Sequence, residues 1–388
     1  MAIWEDVMKL TRRDFSVGVA ATLAAPSFIK SAGAQGATMK IGMVLPITGP
    51  AAEQGKWALN GAKLALDAVN KAGGVLGKQL ELVTEDDQTT NPGVVLAFSK
   101  LAAQPDIVAF LGSIRSTQVH AMQPDVQKLG KPMMFGGTDP KLTQLGNPWL
   151  FRCRPNDSYS GRVLADYGIN TLGKKKWAIV HSTDAFGTGG ANALTEAIGK
   201  AGGTVTLDQG YANQSQDFTP VVLAIKQSGA DVIGSYFTFE NDLAIFARQL
   251  RQLGVTIPWV GSPSIVNVSA TKLAGPALFG TFGVGDYAEE SSKGSKDYGT
   301  AYRAAYNVAP DNQSAWTFDA INILAMAIKN AGSTDPQKVR DAIVAIKKYQ
   351  GAEGEYNFDK NGDGLHGYNI VRNDKGNLIF DKHIEFTD

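Results

Sequence analysis

The chain has 388 residues and carries 37 basic and 37 acidic side chains, so its formal net charge at pH 7 is zero. A balanced charge gives no field that would attract nucleic acid or an anionic membrane surface. Cys153 is the only cysteine, which excludes an internal disulfide. A chain of this length exceeds what a single hydrophobic core usually serves, so two domains are expected.

Residues 1–34 have the organisation of an export signal. A basic cluster that ends in Arg12 and Arg13 precedes an apolar run over 17–25, and small residues follow at 32–34. This order is typical of a cleavable signal peptide, and the paired arginines indicate the twin-arginine type. An uncleaved anchor is the alternative, but the apolar run is far shorter than the ~20 residues of a spanning helix. We therefore expect export to the periplasm.

The first half of the remaining chain alternates strands with helices. Short apolar runs predict the strands, and the segments between them carry apolar residues at helical spacing. The predicted strands are 40–46, 79–84, 107–111 and 132–135, and the predicted helices are 51–71, 92–104 and 117–129. Such an alternation with short connections predicts a parallel sheet that is covered by helices on both faces.

The same alternation restarts after Phe151. The second set has predicted helices at 158–172, 190–201, 218–228 and 241–253, and predicted strands at 177–181, 205–211 and 232–236. Three further helices precede a β-rich tail, and these segments are 294–306, 314–330, 336–347 and 354–386. The sequence therefore predicts an α/β protein with two doubly wound, Rossmann-like lobes.

No group of residues in the sequence indicates a catalytic, cofactor or metal site. The glycine-rich segment 187–190 lacks the third glycine of a dinucleotide fingerprint, because Asn192 stands in that place. Segment 359–364 resembles the start of a calcium loop, but Ile370 occupies the position of the bidentate acid, so a turn explains it better. The four histidines show no ligand spacing. We expect no cofactor, no metal ion and no enzymatic activity.

Two hydroxyl side chains follow neighbouring predicted strands, at the edge where open α/β sheets bind ligands. Ser116 comes after the strand 107–111, in the N-cap position of a helix, where its hydroxyl and the first free amides could hold an anion. Gly137 and Thr138 follow the strand 132–135 and offer an approachable backbone and a second hydroxyl. An ordinary helix cap would explain Ser116 alone. These two segments together predict a pocket for a carboxylate group, and we call this pocket the carboxylate corner.

Several short motifs recur in order along the chain. They are Gly49-Pro50, Asn60-Gly61-Ala62, Gly73-Gly74, Asp86-Asp87, Ser116-Thr117, Gly137-Thr138-Asp139-Pro140 and Asp217-Phe218. In this order the chain resembles the leucine/isoleucine/valine-binding family, the receptors of branched-chain amino-acid-type ABC importers. The resemblance implies a type I periplasmic-binding (Venus-flytrap) fold, in which three crossover strands join two lobes around a cleft. By this analogy lobe 1 takes 38–156 and 287–349, and lobe 2 takes 157–286 and 350–388.

The resemblance also implies how the ligand is held. In the family, the ligand carboxylate is bound by hydroxyls and amides at the positions of Ser116, Gly137 and Thr138, which the strand-end argument selects independently. A family aromatic residue, usually tyrosine, corresponds to Phe186, and the acidic residue that binds an ammonium group corresponds to Pro263. A buried ammonium without a counter-charge costs several kcal/mol. The site is therefore expected to discriminate against α-amino acids.

Aromatic residues occupy other positions near the implied cleft. Gln54 and Trp57 lie in the first predicted helix, and Tyr236, Phe237 and Phe239 lie at the end of a lobe 2 strand. Aromatic walls beside a carboxylate corner suit an aromatic acid such as a benzoate or a phenylpropanoid. Packing in the core at the strand end is the alternative for the last three residues.

Charged residues leave the ligand class open. Arg115, beside Ser116 and Thr117, could bind the ligand carboxylate, with an exposed position as the alternative. Amino acids stay an alternative ligand, because another acid could replace the missing one. The candidates are Asp184, Glu240, Asp242 and Asp286.

These observations predict a periplasmic receptor that captures a small carboxylate, with an aromatic acid preferred, and delivers it to the membrane permease of an ABC importer. Branched-chain or other amino acids are the alternative ligands. A ligand sensor of the same fold is an alternative function, because fold alone does not fix function. The expected partners are the ligand and the permease, without nucleic acid, and the expected oligomeric state is a monomer.

Overall fold

A computed structural model of the chain describes residues 38–386, and the export signal predicted for 1–34 lies outside the described residues. The described strands are β1 (Thr38–Leu45), β2 (Gln79–Asp86), β3 (Ile107–Leu111), β4 (Met133–Phe135), β5 (Leu150–Arg152), β6 (Lys176–Ser182), β7 (Thr204–Tyr211), β8 (Val232–Tyr236), β9 (Trp259–Gly261), β10 (Phe282–Gly285), β11 (Tyr349–Gln350), β12 (Glu355–Tyr356), β13 (Gly367–Asp374) and β14 (Asn377–Glu385).

Helices connect most of these strands. They are α1 (Ala52–Lys71), α2 (Asn91–Ala102), α3 (Ser116–Leu129), α4 (Asp157–Asp166), α5 (Ala185–Lys200), α6 (Thr219–Gln227), α7 (Glu240–Gln252), α8 (Val268–Ala274), α9 (Lys293–Tyr306), α10 (Asn312–Ala331) and α11 (Pro336–Val344). None of the helices within 38–386 combines the length and the apolar character that crossing a bilayer requires.

The first sheet has the order β2-β1-β3-β4-β5, and every neighbouring pair in it is parallel. Buried residues of α1, α10 and α11 cover one face, and those of α2 and α3 cover the other. Helix α1 approaches α10 closely at Gly61, where a β-carbon would lie 1.8 Å from the carbonyl oxygen of Ser314. We call this sheet and its helices lobe 1.

The second sheet has the order β14-β13-β10-β9-β8-β6-β7. Its strands β7, β6, β8, β9 and β10 are parallel, whereas β13 and β14 add an antiparallel edge. Buried residues of α4 and α5 pack on one face, and those of α6, α7 and α8 pack on the other. We call this unit lobe 2. The two sheets confirm the predicted α/β fold with two lobes.

The chain passes between the lobes three times. It enters lobe 2 between β5 and α4 and returns to lobe 1 between β10 and α9. It reaches β13 only after Tyr356, Phe358 and Leu365, which pack in the core of lobe 1. The limits of the lobes stay a prediction, and this packing favours a third passage after Leu365 rather than at residue 350.

Two predicted helix limits were wrong. Helix α5 begins at Ala185 rather than at residue 190, because the carboxylate of Asp184 caps it by accepting a 2.9 Å bond from the backbone N–H of Gly187. Glycines weaken the helical pattern there, yet close packing requires Gly190, since a β-carbon would lie 2.2 Å from the ring of Tyr236. The helix predicted for 158–172 instead ends as α4 at Asp166, and a π-helical turn follows.

Candidate functional site

A cavity of about 60 Å³ lies between the carboxyl ends of the parallel strands of the two sheets. Its walls come from the segments that follow β1, β3, β4, β6, β8 and β9, and from the start of α10. The lining residues are Gln54, Ile114, Arg115, Ser116, Thr117, Thr138, Arg154, Asp184, Phe186, Phe237, Thr238, Glu240, Pro263, Ser264, Asn267, Asn312 and Gln313. This position agrees with the rule that open α/β sheets bind ligands beyond their strand ends.

Ser116 presents a hydroxyl hydrogen to this cavity. Its Oγ accepts bonds of 3.1 Å from the backbone N–H groups of Thr138 and Asp139, which occupy both lone pairs of the oxygen. The hydroxyl hydrogen has no acceptor within residues 38–386, so Ser116 is a donor to whatever enters the cavity. The predicted N-cap position was wrong, because Arg115 is the N-cap of α3 and Ser116 is its first residue. The helix starts one residue earlier than the pattern indicated.

The loop that carries Gly137 and Thr138 is held by a buried arginine. Arg152 donates to the carbonyl oxygens of Gly137 and Asp139 at 3.0 and 2.9 Å, and it also bonds to Asp363 at 2.7 Å. Gly137 does not line the cavity, but it is needed beside it, because a β-carbon there would lie 3.0 Å from the α-carbon of Ser116. Thr138 lines the cavity, and its loop is fixed by these bonds.

Among the lining residues, Arg115 has the side chain that most clearly favours binding of an anion. Its side chain is 11% exposed, its guanidinium carbon lies 4.3 Å from the ring centre of Phe239, and its nearest carboxylate, of Asp184, is 3.9 Å away. Burial lowers the pKa of Arg115, while the charges of Asp184 and Glu240 act in the opposite direction. The guanidinium makes no hydrogen bond to any other of residues 38–386. A ligand carboxylate would satisfy these donors.

A second guanidinium, that of Arg154, also lines the cavity but is already paired. It bonds to the carboxylate of Asp286 and donates to the carbonyl oxygen of Gly136 at 3.1 Å. Burial alone would lower the pKa of Arg154, but the charge and hydrogen bond of Asp286 outweigh burial and raise it. This cation therefore stays charged beside the carboxylate corner.

The four acids that could replace the missing ammonium partner occupy different places. Glu240 and Asp184 line the cavity, whereas Asp286 is paired with Arg154, and Asp242 accepts a 2.8 Å bond from the backbone N–H of Gln214. Burial would raise the pKa of Asp184, but hydrogen bonds, the first of them from Gly187, lower it. Burial raises the pKa of Glu240. Glu240 is therefore the acid most open to a ligand cation.

Direct contacts join the two lobes around the cavity. The Nε2 of Gln54 in lobe 1 donates to the Oε1 of Glu240 in lobe 2 at 2.8 Å. The backbone N–H of Ala185 in lobe 2 donates to the Oγ1 of Thr117 in lobe 1 at 3.3 Å. The lobes are therefore closed on each other, and the predicted residues Gln54 and Thr117 both bridge the cleft.

Only part of the predicted aromatic wall reaches the cavity. Phe186 and Phe237 line it, but Trp57 stacks on Tyr302 at 5.9 Å between ring centres. Phe239 lies under the guanidinium of Arg115 and supports that side chain.

Tyr236 also lies outside the wall. It is fully buried, and its hydroxyl is 2.8 Å from the Oγ of Ser160. It packs in the core because it is the last residue of β8 and points toward α4 and α5. Trp57, Tyr236 and Phe239 are thus supporting residues rather than lining residues.

Several lining residues, chiefly polar ones, were not predicted from the sequence. Asn267 is the N-cap of α8, and Asn312 and Gln313 begin α10. The start of a helix offers free backbone amides, so a search of every helix start would have included these residues. Arg154 lies in a passage between lobes and has no comparable local signal. Within 38–386, no group of three or more His, Cys, Asp or Glu residues could hold a metal ion.

Comparison with known proteins agrees with the fold. The model of the periplasmic binding protein family matches residues 38–377, and the chain belongs to this family. An "amino acid binding protein" of Pseudomonas aeruginosa is 29% identical over 84% of this chain and 87% of its own length. Leu/Ile/Val-binding protein homolog 1 of Brucella melitensis is 27% identical over 91% of this chain and 95% of its own.

Solved structures show the same architecture. A leucine-binding protein, LivK, of Thermotoga maritima has a TM-score of 0.84 and 24% identity, and the match covers 89% of this chain and 99% of that one. A solute-binding protein of an ABC transporter of R. palustris, solved with benzoate, has a TM-score of 0.82 and 20% identity over 89% and 96% of the two chains. At these identities the likeness shows the fold alone, which is that of a two-lobed type I periplasmic binding protein.

Proposed function

We propose that this protein is the periplasmic receptor of an ABC importer and that it captures a small carboxylate in the cavity between its lobes. The observation that carries the proposal is Arg115, a largely buried guanidinium that lines the cavity without a hydrogen-bond acceptor. The carboxylate of Asp184, 3.9 Å away, offsets part of its charge but leaves the buried N–H donors without an acceptor within residues 38–386, and a ligand carboxylate is their natural partner. Ser116, with its free hydroxyl hydrogen, supplies a second donor to the same anion.

The size of the cavity supports a small ligand. About 60 Å³ is several times the roughly 10–15 Å³ that one water molecule needs, so the cavity suits a small ligand, and one of the size of benzoate or leucine requires the lobes to open slightly further. Membership of the periplasmic binding protein family supports the receptor role. The relatives named as amino acid binding proteins, and the benzoate complex, both involve small carboxylates.

An aromatic acid is the first candidate ligand. Pro263 occupies the wall where the related family has an acid, and Phe186 and Phe237 provide two aromatic surfaces. Arg154 adds a positive charge beside the carbonyl oxygen of Gly136, which disfavours an ammonium group there. A ring flanked by a carboxylate corner and apolar side chains gains from area burial and stacking.

An α-amino acid is the second candidate, and Glu240 is the observation that favours it. Its carboxylate lines the cavity, belongs to a half-buried residue, and accepts a hydrogen bond from a neutral amide, that of Gln54. A ligand ammonium near Glu240 would supply the missing counter-charge. Several relatives of this chain are named as Leu/Ile/Val-binding proteins, in line with this alternative.

Closure of the lobes is the event that the importer would read. A ligand stabilises the closed form only by contacts that it makes with both lobes. Arg115 and Ser116 act from lobe 1, and Phe186, Phe237 and Glu240 act from lobe 2. The permease would then receive the closed, loaded receptor and return the open one.

Calorimetric titration of the mature protein tests the proposal. The protein is first unfolded, dialysed and refolded to remove any bound ligand. The ligands are benzoate, 3-phenylpropionate, leucine and 4-methylpentanoate, the last being leucine without its amino group. Arg115→Gln is expected to weaken every carboxylate that binds by roughly 10- to 150-fold, as expected for a hydrogen bond to a charged group. Arg248→Gln, at an exposed position of α7, is the matched control. Binding that survives Arg115→Gln unchanged would overturn the proposal.

A further inference from the structure

The hydroxyl of Thr138 is tied to a buried carboxyl group outside the cavity. Its Oγ1 donates to the Oδ2 of Asp157 at 2.8 Å, and the backbone N–H of Asp157 donates to the carbonyl oxygen of Thr138 at 2.9 Å. Asp157 is the first residue of α4 and is completely buried. Its Oδ1 accepts a 3.1 Å bond from the Oγ of Ser160. Asp157 therefore holds both the hydroxyl and the carbonyl oxygen of Thr138.

A hydroxyl has one hydrogen, so this bond decides what Thr138 can offer a ligand. While Asp157 is ionised, it can only accept, and the hydrogen of Thr138 is committed to it. The hydroxyl of Thr138, a residue that lines the cavity, can then act toward a ligand only as an acceptor, which repels a carboxylate. When Asp157 is protonated, it can donate its own hydrogen to Thr138. The hydroxyl hydrogen of Thr138 is then free to bind the ligand carboxylate, as that of Ser116 already is.

The surroundings of Asp157 place this change of state near neutral pH. Burial raises the pKa of Asp157 to about 7, against the opposing hydrogen bonds from Thr138 and Ser160 and the charges of Arg154 and Arg152. Both arginines are themselves compensated, by Asp286 and Asp363 respectively. Neither of them forms an ion pair with Asp157 within residues 38–386.

The remaining titratable groups on the elements around Asp157 are uncharged or paired elsewhere. Buried tyrosines on β8 and β13 face it, and their pKa values are raised by burial, so they stay neutral. Pairs of opposite charge on α5 and β13 lie at the surface, and the acid next to Thr138 is paired with a histidine of α3. These groups are Tyr236, Tyr368, Glu196 with Lys200, Arg372 with Asp374, and Asp139 with His120.

We propose that Asp157 is a positioning residue that sets the direction of the Thr138 hydroxyl, so that binding of a ligand carboxylate is coupled to the uptake of a proton by Asp157. This inference rests on the proposed function. Its sign follows from linkage: the state that binds the carboxylate better also holds the extra proton, so affinity rises as the pH falls through neutrality. The cavity thus captures its ligand more tightly on the acidic side of pH 7.

A second acid, Glu240, also contributes to the pH dependence of ligand binding. It lines the cavity, and its pKa is raised by burial, so its protonation also removes a negative charge near the ligand. The two acids lie on different lobes and have different neighbours, Gln54 for Glu240 and Thr138 for Asp157. Variants at each position therefore separate their contributions.

The experiment is calorimetric titration of benzoate and leucine into the refolded mature protein at pH 5.5, 6.5, 7.5 and 8.5. Wild-type affinity for the ligand that binds is expected to be about tenfold higher at pH 5.5 than at pH 8.5. Asp157→Asn, which cannot titrate, is expected to lose this dependence. Thr138→Val, which keeps the shape but removes the hydroxyl, tests the same coupling should Asp157→Asn fail to fold. Glu240→Gln is expected to retain the step that belongs to Asp157.

The outcomes separate this inference from the function on which it rests. A ligand that binds with the same affinity across the pH range overturns the inference alone. A pH step that persists in both Asp157→Asn and Thr138→Val overturns it as well, since the step then arises at another group. If no carboxylate binds at any pH, the proposed function is wrong and the inference is wrong with it. Loss of the step in Thr138→Val with binding retained is the result that a purely structural role of Asp157 would not produce.

Discussion

The Nε2 of Gln54 donates a 2.8 Å hydrogen bond to the Oε1 of Glu240, and this bond joins α1 of lobe 1 to α7 of lobe 2 across the cavity. The half-buried carboxylate of Glu240 and the guanidinium of Arg115 line the same cavity, and the charge of each acts on the pKa of the other. One end of the cavity wall is therefore cationic and the other is a carboxylate with a neutral partner. Selectivity between simple acids and amino acids depends on this second end.

Replacement of Glu240 by Gln tests that dependence. The change removes the charge and keeps an amide in place of the carboxylate, so an ammonium group on the ligand loses its partner. The affinity of leucine relative to 4-methylpentanoate is expected to fall by about tenfold, which corresponds to ~1.4 kcal/mol. Calorimetry with both ligands measures the ratio, and Glu196→Gln on the exposed surface of α5 is the control. An unchanged ratio would mean that Glu240 does not contact the ligand.

The opposite change can be made at Pro263. This residue lines the cavity at the start of a short 3-10 turn, and the resemblance to the leucine/isoleucine/valine-binding family implies an acid at its position. Pro263→Glu is expected to raise the affinity of leucine relative to 4-methylpentanoate by about tenfold or more, because the acid pairs with the ammonium and repels a bare acid. Pro336→Glu, the same change at the first residue of α11, is the matched control. Equal effects of the two variants on the ratio would contradict the prediction.

Glu353 makes the stability of the fold dependent on pH. Both of its carboxyl oxygens are buried without a hydrogen-bond partner within residues 38–386, and burial raises the pKa of Glu353 well above its usual range. The folded protein therefore holds a proton that the unfolded chain releases, so this contribution to stability is lost as the pH rises from about 4.5 through the raised pKa.

Glu353→Gln removes the titration. The variant is expected to match the wild type near pH 5 and to melt about 2–4 °C higher at pH 8, the shift that roughly 1 kcal/mol produces in a domain of moderate size. Thermal unfolding followed by circular dichroism at both pH values measures it, with Glu355→Gln at an exposed site as control. A melting difference that is the same at both pH values would contradict the assignment.

Two glycines of α5 form a matched pair for packing. A β-carbon at Gly190 would lie 2.2 Å from the ring of Tyr236, whereas one at Gly199 would meet nothing within 4 Å. Gly190→Ala is expected to destabilise the protein by about 1–3 kcal/mol through overpacking. Gly199→Ala is expected to stabilise it by roughly 0.5–1 kcal/mol through helix propensity. Denaturant unfolding measures both, and effects of the same sign would refute the packing argument.

The sequence was sufficient to predict that Ser116 and Thr138 lie near each other, because this proximity depends on the order of neighbouring strands. Ser116 and Thr138 follow neighbouring parallel strands, and the carboxyl ends of such strands meet at one edge. The same reasoning misjudged the aromatic residues, because β8 ends at Tyr236 and α7 begins at Glu240. The alternation of a strand does not continue there, so only Phe237 of the three aromatic residues reaches the cavity.

Other parts of the site depend on contacts between distant segments. Arg154 reaches the cavity because Asp286, from another passage between the lobes, holds its guanidinium. Asn312 and Gln313 line it only because α10 packs beside α1. No spacing in the sequence encodes these contacts, since each joins segments that are far apart in the chain.

The bonds of Arg152 have a consequence for how receptors of this kind diversify. This one side chain donates to both carbonyl groups that flank Thr138, and it links them to Asp363, in the segment just before the third passage between the lobes. The loop that carries Thr138 is thus held by bonds that do not involve the opposite wall of the cavity, which contains Phe186 and Pro263. Under the proposed function, substitutions in lobe 2 alone can therefore change which carboxylate binds, while the residues that bind the carboxylate group in lobe 1 stay the same.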